Sequence, residues 1–210
     1  KGKKVATPFV STAHYQLLFA LNKAGVNPKE IQILNLRPPE IAAAWERGDL
    51  DATFIWEPVL SKVKADGKVV MSSADIAKQG APTFDGIIVN RAWAAANKDF
   101  LVAYVKALAD ADKDYKANTA KYGKGSAHAT AIAKIVGAKP DDVPGVLADY
   151  AFPTAAEQAS DKWLGGGAKG GVAMALENTA KFLMEQKRIT EMPADFGKFV
   201  NPEFAAAAAK

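Results

Sequence analysis

From Lys3 to Asn90 the chain alternates short apolar, β-rich runs with helical patterns, and that alternation admits few folds. Lys3–Ala6 reads as a strand. Thr7-Pro8 then leads into a helix opened by Ser11 or Thr12, whose Leu17, Leu18, Leu21 and Ala24 form an apolar stripe stopped by Gly25. Ile31–Leu36 alternates as a second strand, and Pro38-Pro39 opens a second helix running to Gly48. Ala52–Trp56 is a third strand, followed by a helix with Pro58 in its first turn and its end at Gly67. Val69–Met71 gives a fourth strand and, after the break at Gly80-Ala81-Pro82, Asp85–Asn90 a fifth. Strands separated by helices of this length form βαβ units around a parallel sheet, so the class is α/β.

From Trp93 onward the pattern is almost wholly helical. Phe100, Tyr104 and Leu108 share one face, as do Ile132, Ile135 and Val136, and Leu176, Phe182 and Leu183. Gly137, Pro140, Pro144, Pro153 and Gly165–Gly167 punctuate these helices, and Ala205–Ala209 is low in complexity. The chain therefore divides into an α/β module over 1–86 and a strand-poor, helix-rich remainder over 87–210.

Composition removes several function classes. The chain has 210 residues, of which 49% are hydrophobic, so it is too apolar to be disordered. No apolar run approaches the roughly 20 residues of a membrane span. With no cysteine there is no disulfide, thiolate zinc site, iron–sulfur cluster or cysteine nucleophile, and the absence fits an oxidising compartment. The net charge of +4 is scattered. Lys113, Lys116, Lys121 and Lys124 interleave with Asp110, Asp112 and Asp114 as a solvated helix face, which argues against nucleic acid as a partner. His14 and His128 are the only histidines and have no metal-ligand spacing. No nucleophile elbow occurs. Gly165, Gly167 and Gly170 fit G-x-G-x-x-G, but a helical pattern precedes them where a dinucleotide site needs a strand, so they read as an inter-helix loop. No metal, cofactor or catalytic residue is expected.

Three features remain. Thr7–His14 follows the first strand and opens a helix, at the carboxyl end where open α/β sheets place ligands. Ser11 and Thr12 offer hydroxyls there, beside first-turn amides with no partner inside the helix. Such a terminus receives a small anion with contacts worth about 0.3–1 kcal/mol each. The same residues also make an ordinary N-cap. Trp56, at the end of the third strand, either walls a pocket or packs in the core. Asp85, at the mouth of the fifth, either holds an ammonium group or caps a turn. Taken together, an anion receptor, an aromatic wall and a carboxylate suit a small zwitterion.

Four segments carry a resemblance: Lys1–Tyr15, Leu36–Ala52, Ile55-Trp56-Glu57-Pro58 and Gly80–Asp85. They are similar to the taurine-binding proteins of bacterial ABC importers, and Thr179–Gln186 is similar to that family's last helix. The resemblance implies the two-lobed type II periplasmic-binding-protein fold, related to receptors for alkanesulfonates and for thiamine-precursor pyrimidines. It implies a monomeric, exported, periplasmic receptor that captures taurine or a related zwitterionic sulfonate in an interlobe cleft and delivers it to an inner-membrane ABC permease. By the same resemblance Ser11 and Thr12, with the Ala13 and His14 amides, meet the sulfonate, Asp85 holds the ammonium and Trp56 lines the pocket. Members carry a further region before the segment matching Lys1, including an export signal. By that comparison 1–86 is the second lobe and 87–210 the helical C-terminal half of the other. Two alternatives remain open: an enzyme on a related fold, such as a pyrimidine-precursor synthase or transferase, and the effector-sensing lobe of a transcription regulator.

Overall fold

The computed structural model describes residues 1–210. The chain forms two compact units, Lys1–Thr83 with Asn178–Met192, and Phe84–Glu177 with Pro193–Lys210.

In the first unit, β1 (Lys4–Thr7) is the middle of a three-stranded parallel sheet. Between β1 and β2 (Gln32–Asn35) runs α1 (Thr12–Lys23), and α2 (Pro38–Glu46) leads from β2 to β3 (Ala52–Thr53). The order is β2-β1-β3, with Val5 opposite both Ile33 and Ala52. The two crossovers run in opposite directions across the sheet, so right-handed connections place α1 and α2 on opposite faces. Ala6 points to the α2 face and packs with Ile41, Ala42, Ile55, Val59 and Val63; the last two belong to α3 (Val59–Lys64). Full burial of a side chain such as Ile41 stabilises by about 1.5–3 kcal/mol. The helix starts follow the expected chemistry. Ser11 caps α1, and Pro38 and Pro39 fill the first turn of α2, where Arg37 and Glu40 also form an ion pair. A short α4 (Ser73–Lys78) completes the unit.

Two expected strands are absent. Val69–Met71 is irregular with Val70 92% exposed, Asp85–Asn90 is likewise irregular with Ile88 95% exposed, and the third strand is cut to two residues. A β-rich run becomes a strand only when a neighbour takes its amides and carbonyls, and no strand lies beside either segment.

The second unit is helical: α5 (Arg91–Ala96), α6 (Lys98–Ala117), α7 (Ala127–Val136), α8 (Val143–Ala148), α9 (Ala155–Ala159), the first part of α10 (Gly171–Glu185) and α11 (Glu203–Ala208). The alanine-rich tail is ordered, because its small side chains let α11 lie close on α6 and α9 around Ala109, Ala155 and Ala208. Ala129, Ala133 and Val143 form a second small core, leaving Ile135 and Val136 exposed. The Phe100–Tyr104–Leu108 face is also open to solvent. The glycines before α10 make a tight turn. A Cβ on Gly170 would lie 1.9 Å from the Gly165 carbonyl oxygen, and one on Gly171 2.0 Å from that of Lys162. Close backbone approach is what these glycines serve.

Asn178–Met192 groups with the first unit, where Phe182 packs its ring on His14 and Tyr15.

Candidate functional site

The topology of the first unit creates one switch point. The loop after β1 leaves toward α1 on one face, while the loop after β3 leaves toward α3 on the other, so the chain direction switches between the carboxyl ends of β1 and β3. Open α/β sheets bind ligands at such points. Ser11 and Thr12 follow β1; Trp56 follows β3.

The loop after β1 is held by side chains. The Phe9 amide donates to Asn35 Oδ1 at the end of β2 (2.9 Å). The Ser11 hydroxyl donates to the Pro8 carbonyl (2.6 Å) and accepts from the His14 amide (3.1 Å). The Val10 amide donates to His14 Nδ1 (3.2 Å), with Val10 held at φ +58°, a conformation β-branched residues rarely adopt. The Nδ1 acceptor role assigns the ring proton to Nε2. His14 is only 3% exposed, stacked on Phe9 with ring centres 4.4 Å apart and edge-on to Phe182 at 5.5 Å. Burial pushes its imidazole below the ordinary value toward the neutral form, and pushes the Tyr15 hydroxyl upward.

These bonds sort the donors. Ser11's hydroxyl proton and the His14 amide are engaged inside the loop. The Thr12 and Ala13 amides and the exposed Thr12 hydroxyl donate to no group of the chain. No acidic residue occupies the first turn of α1, whereas α2 has Glu40 and α4 has Asp75 in theirs. The free amides and the helix dipole therefore leave α1 with an uncompensated positive end. Thr7, the last residue of β1, is fully buried with its hydroxyl making no hydrogen bond.

Trp56 is 41% exposed and lies outside the core cluster around Ile55 and Val59. Asp85 is exposed and belongs to the second unit, two positions past the crossing from the first. The structure thus gathers Ser11, Thr12, Ala13, His14 and Trp56 in one unit, with Asp85 in the other.

Asn35, Phe182 and Gln16 are neighbours to which sequence reasoning assigned no place at the site. Gln16 carried a signal, a lone amide next to the apolar Leu17 and Leu18 and one helical turn after Thr12. Phe182 carried none, since its partner lies at the other end of the chain.

A family model described as the NMT1-like family matches residues 1–136. This chain belongs to the NMT1-like family. The NMT1-like chain is 34% identical over 203 residues to the taurine-binding periplasmic protein of Escherichia coli (strain K12), covering 97% of the chain and 62% of that protein. It is 32% identical over 114 residues to a putative aliphatic sulfonates-binding protein of the same organism, covering 53% of the chain and 34% of that protein. The structure of the periplasmic aliphatic sulphonate binding protein of Escherichia coli matches with a TM-score of 0.72 at 23% identity, over 98% of this chain and 64% of that one. That likeness establishes the α/β fold of a periplasmic binding protein. The alkanesulfonate-binding protein of Xanthomonas axonopodis pv. citri, bound to MOPS, matches with a TM-score of 0.62 at 25% identity, over 91% and 60%. The NMT1-like chain thus spans less than two-thirds of the length of these relatives. None of its helices is long and apolar enough to cross a membrane.

Proposed function

We propose that this chain is the solute-binding component of an ABC importer, capturing taurine or a similar small aminosulfonate in the periplasm and passing it to an inner-membrane permease without chemistry. The observation that carries this reading is the α1 terminus at the β1/β3 switch point, whose Thr12 and Ala13 amides face no acid and no partner of their own. Three oxygens of a sulfonate suit those amides and the Thr12 hydroxyl, with Ser11 and His14 holding the loop that presents them. Trp56 lines the site beside the sulfonate, and Asp85 takes the ammonium. Residues 1–86 then act as one ligand-binding lobe and 87–210 as the helical part of another. The names of the relatives support the class, and MOPS itself joins a sulfonate to an amine.

Calorimetric titration of the protein with taurine and with ethanesulfonate, which lacks the ammonium, tests the reading. Taurine should bind more tightly. Asp85→Ala should lower taurine affinity by about one to two decades, at roughly 1.4 kcal/mol each, and leave ethanesulfonate unchanged. Equal affinity of the unaltered protein for both ligands refutes the role of Asp85, and no binding of either refutes the sulfonate site.

A further inference from the structure

The Val10 amide has a single acceptor, Nδ1 of His14 (3.2 Å), and Val10 itself sits at φ +58°, where a β-branched side chain is strained. Ser11 comes next in the chain. Its hydroxyl bridges the Pro8 carbonyl and the His14 amide, closing the turn that leads into the Thr12 and Ala13 amides. The side chain that holds the strained residue is thus titratable. It is also confined, with Phe9 stacked at 6° between ring planes on one face and Phe182 set edge-on. The surrounding elements carry Tyr15 on α1, Asp75 and Lys78 on α4, and Lys181 and Glu185 on α10. None of these contributes to the shift of His14, which has burial as its one cause, so no carboxylate favours a proton on this ring. All of these residues belong to the first unit.

We infer that the His14 imidazole is a positioning residue whose neutral form is required for sulfonate capture, so that the Thr7–His14 loop gives up its anion when the ring takes a proton. The argument is one of donors and acceptors. Neutral His14 accepts at Nδ1 and carries its proton on Nε2. Protonation puts an N–H on Nδ1 facing the Val10 N–H, and a hydrogen bond becomes a repulsion. Nothing else holds Val10 at positive φ, so the turn relaxes and Ser11 moves with it. The cap in front of the Thr12 and Ala13 amides is then lost. Plain electrostatics would act in the other direction, because an imidazolium beside a sulfonate attracts it. The sign of the pH dependence therefore separates the two. Capture that needs the neutral ring weakens by up to about tenfold per pH unit below the pKa of His14, and bound sulfonate in turn lowers that pKa. The inference rests on the sulfonate reading of the α1 terminus above and needs nothing from Asp85.

The test titrates ethanesulfonate, which stays ionised throughout and has no ammonium, into the unaltered protein and into His14→Asn. Asparagine places an amide oxygen close to the position of Nδ1 and does not titrate. Between about pH 7.5 and about pH 4.5 the affinity of the unaltered protein should fall roughly tenfold, and that of His14→Asn by less than about twofold, since every carboxylate is common to both. His14→Phe, with no acceptor at all, should bind more weakly than His14→Asn at the higher pH. Without any variant, an NMR titration of the two imidazoles should give His14 a lower pKa with ethanesulfonate bound than without it, His128 serving as the internal reference. Affinity that is flat or rises on the acid side, an equal fall in His14→Asn, or a His14 pKa raised by the ligand overturns the role of the imidazole and leaves the sulfonate reading standing. If neither ethanesulfonate nor taurine binds the unaltered protein at the higher pH, the reading beneath fails and takes this inference with it.

Discussion

His14→Phe separates the two jobs of the buried imidazole. Phenylalanine keeps a planar ring for the 4.4 Å stack on Phe9 and the edge contact with Phe182, but it has no Nδ1 to accept from Val10. Losing that bond costs about 0.5–1.5 kcal/mol near pH 8, and Val10 loses what holds it at positive φ. The pH dependence has the opposite sign. Burial lowers the folded-state pKa of His14 below the ordinary 6.5, so as pH falls through 6.5 the unfolded chain takes up a proton that the folded chain refuses. Wild-type stability must then decline on the acid side, by at most about 1.4 kcal/mol one unit below 6.5, whereas the Phe variant lacks this loss. Its deficit at pH 8 should therefore narrow or vanish near pH 5.5. Urea unfolding followed by tryptophan fluorescence at both pH values measures the difference. His128 and the carboxylates are common to both proteins. Glu40, Asp51, Asp75, Asp114 and Glu157 sit below their ordinary values through hydrogen bonds and ion pairs, so their stabilisation is lost only in more acid solution. The same pH slope in wild type and variant would show that His14 is not held neutral by its surroundings.

Two further substitutions probe the elements around the site and the glycine turn. Ser11→Ala removes the acceptor for the His14 amide and the donor to Pro8, and should destabilise by about 0.5–2 kcal/mol and weaken sulfonate binding of every kind; denaturant midpoints and titration measure the two effects. Gly170→Ala would put a methyl 1.9 Å from the Gly165 carbonyl oxygen, so thermal unfolding should show a loss of about 3 kcal/mol or more, and a near-neutral result would refute the close approach of the two backbones.

How much of this was legible in the sequence depends on how far away each residue's partner lies. The first two strands and first two helices follow local signals: alternation in Ile31–Leu36, a Ser cap, paired prolines and glycine stops all act within one or two turns. The extended runs at Val69–Met71 and Asp85–Asn90 have equally strong local signals, yet a strand is completed only by another strand, and neither has one. Trp56 shows the same limit at the level of a side chain. Its place after β3 was visible, but whether the ring faces the core or solvent depends on Ile55 and Val59 filling the core first.

The site divides along the same line. Groups that would touch a ligand are largely backbone donors at the end of a strand, and the Thr7–His14 segment announces them by its position alone. Groups that hold those donors in place reach across the fold: Gln16 to Ser73 and Ala81, His14 to Phe182, Phe9 to Asn35. Their residue types are uninformative, since a Gln on a helix or a Phe in an apolar stripe is ordinary. Only burial together with saturated hydrogen bonding marks them, and both are properties of the folded chain. A binding site on an open parallel sheet is therefore half local and half tertiary. The contacting atoms follow from strand ends and helix starts, while the braces that hold those atoms in place form only when distant segments pack together.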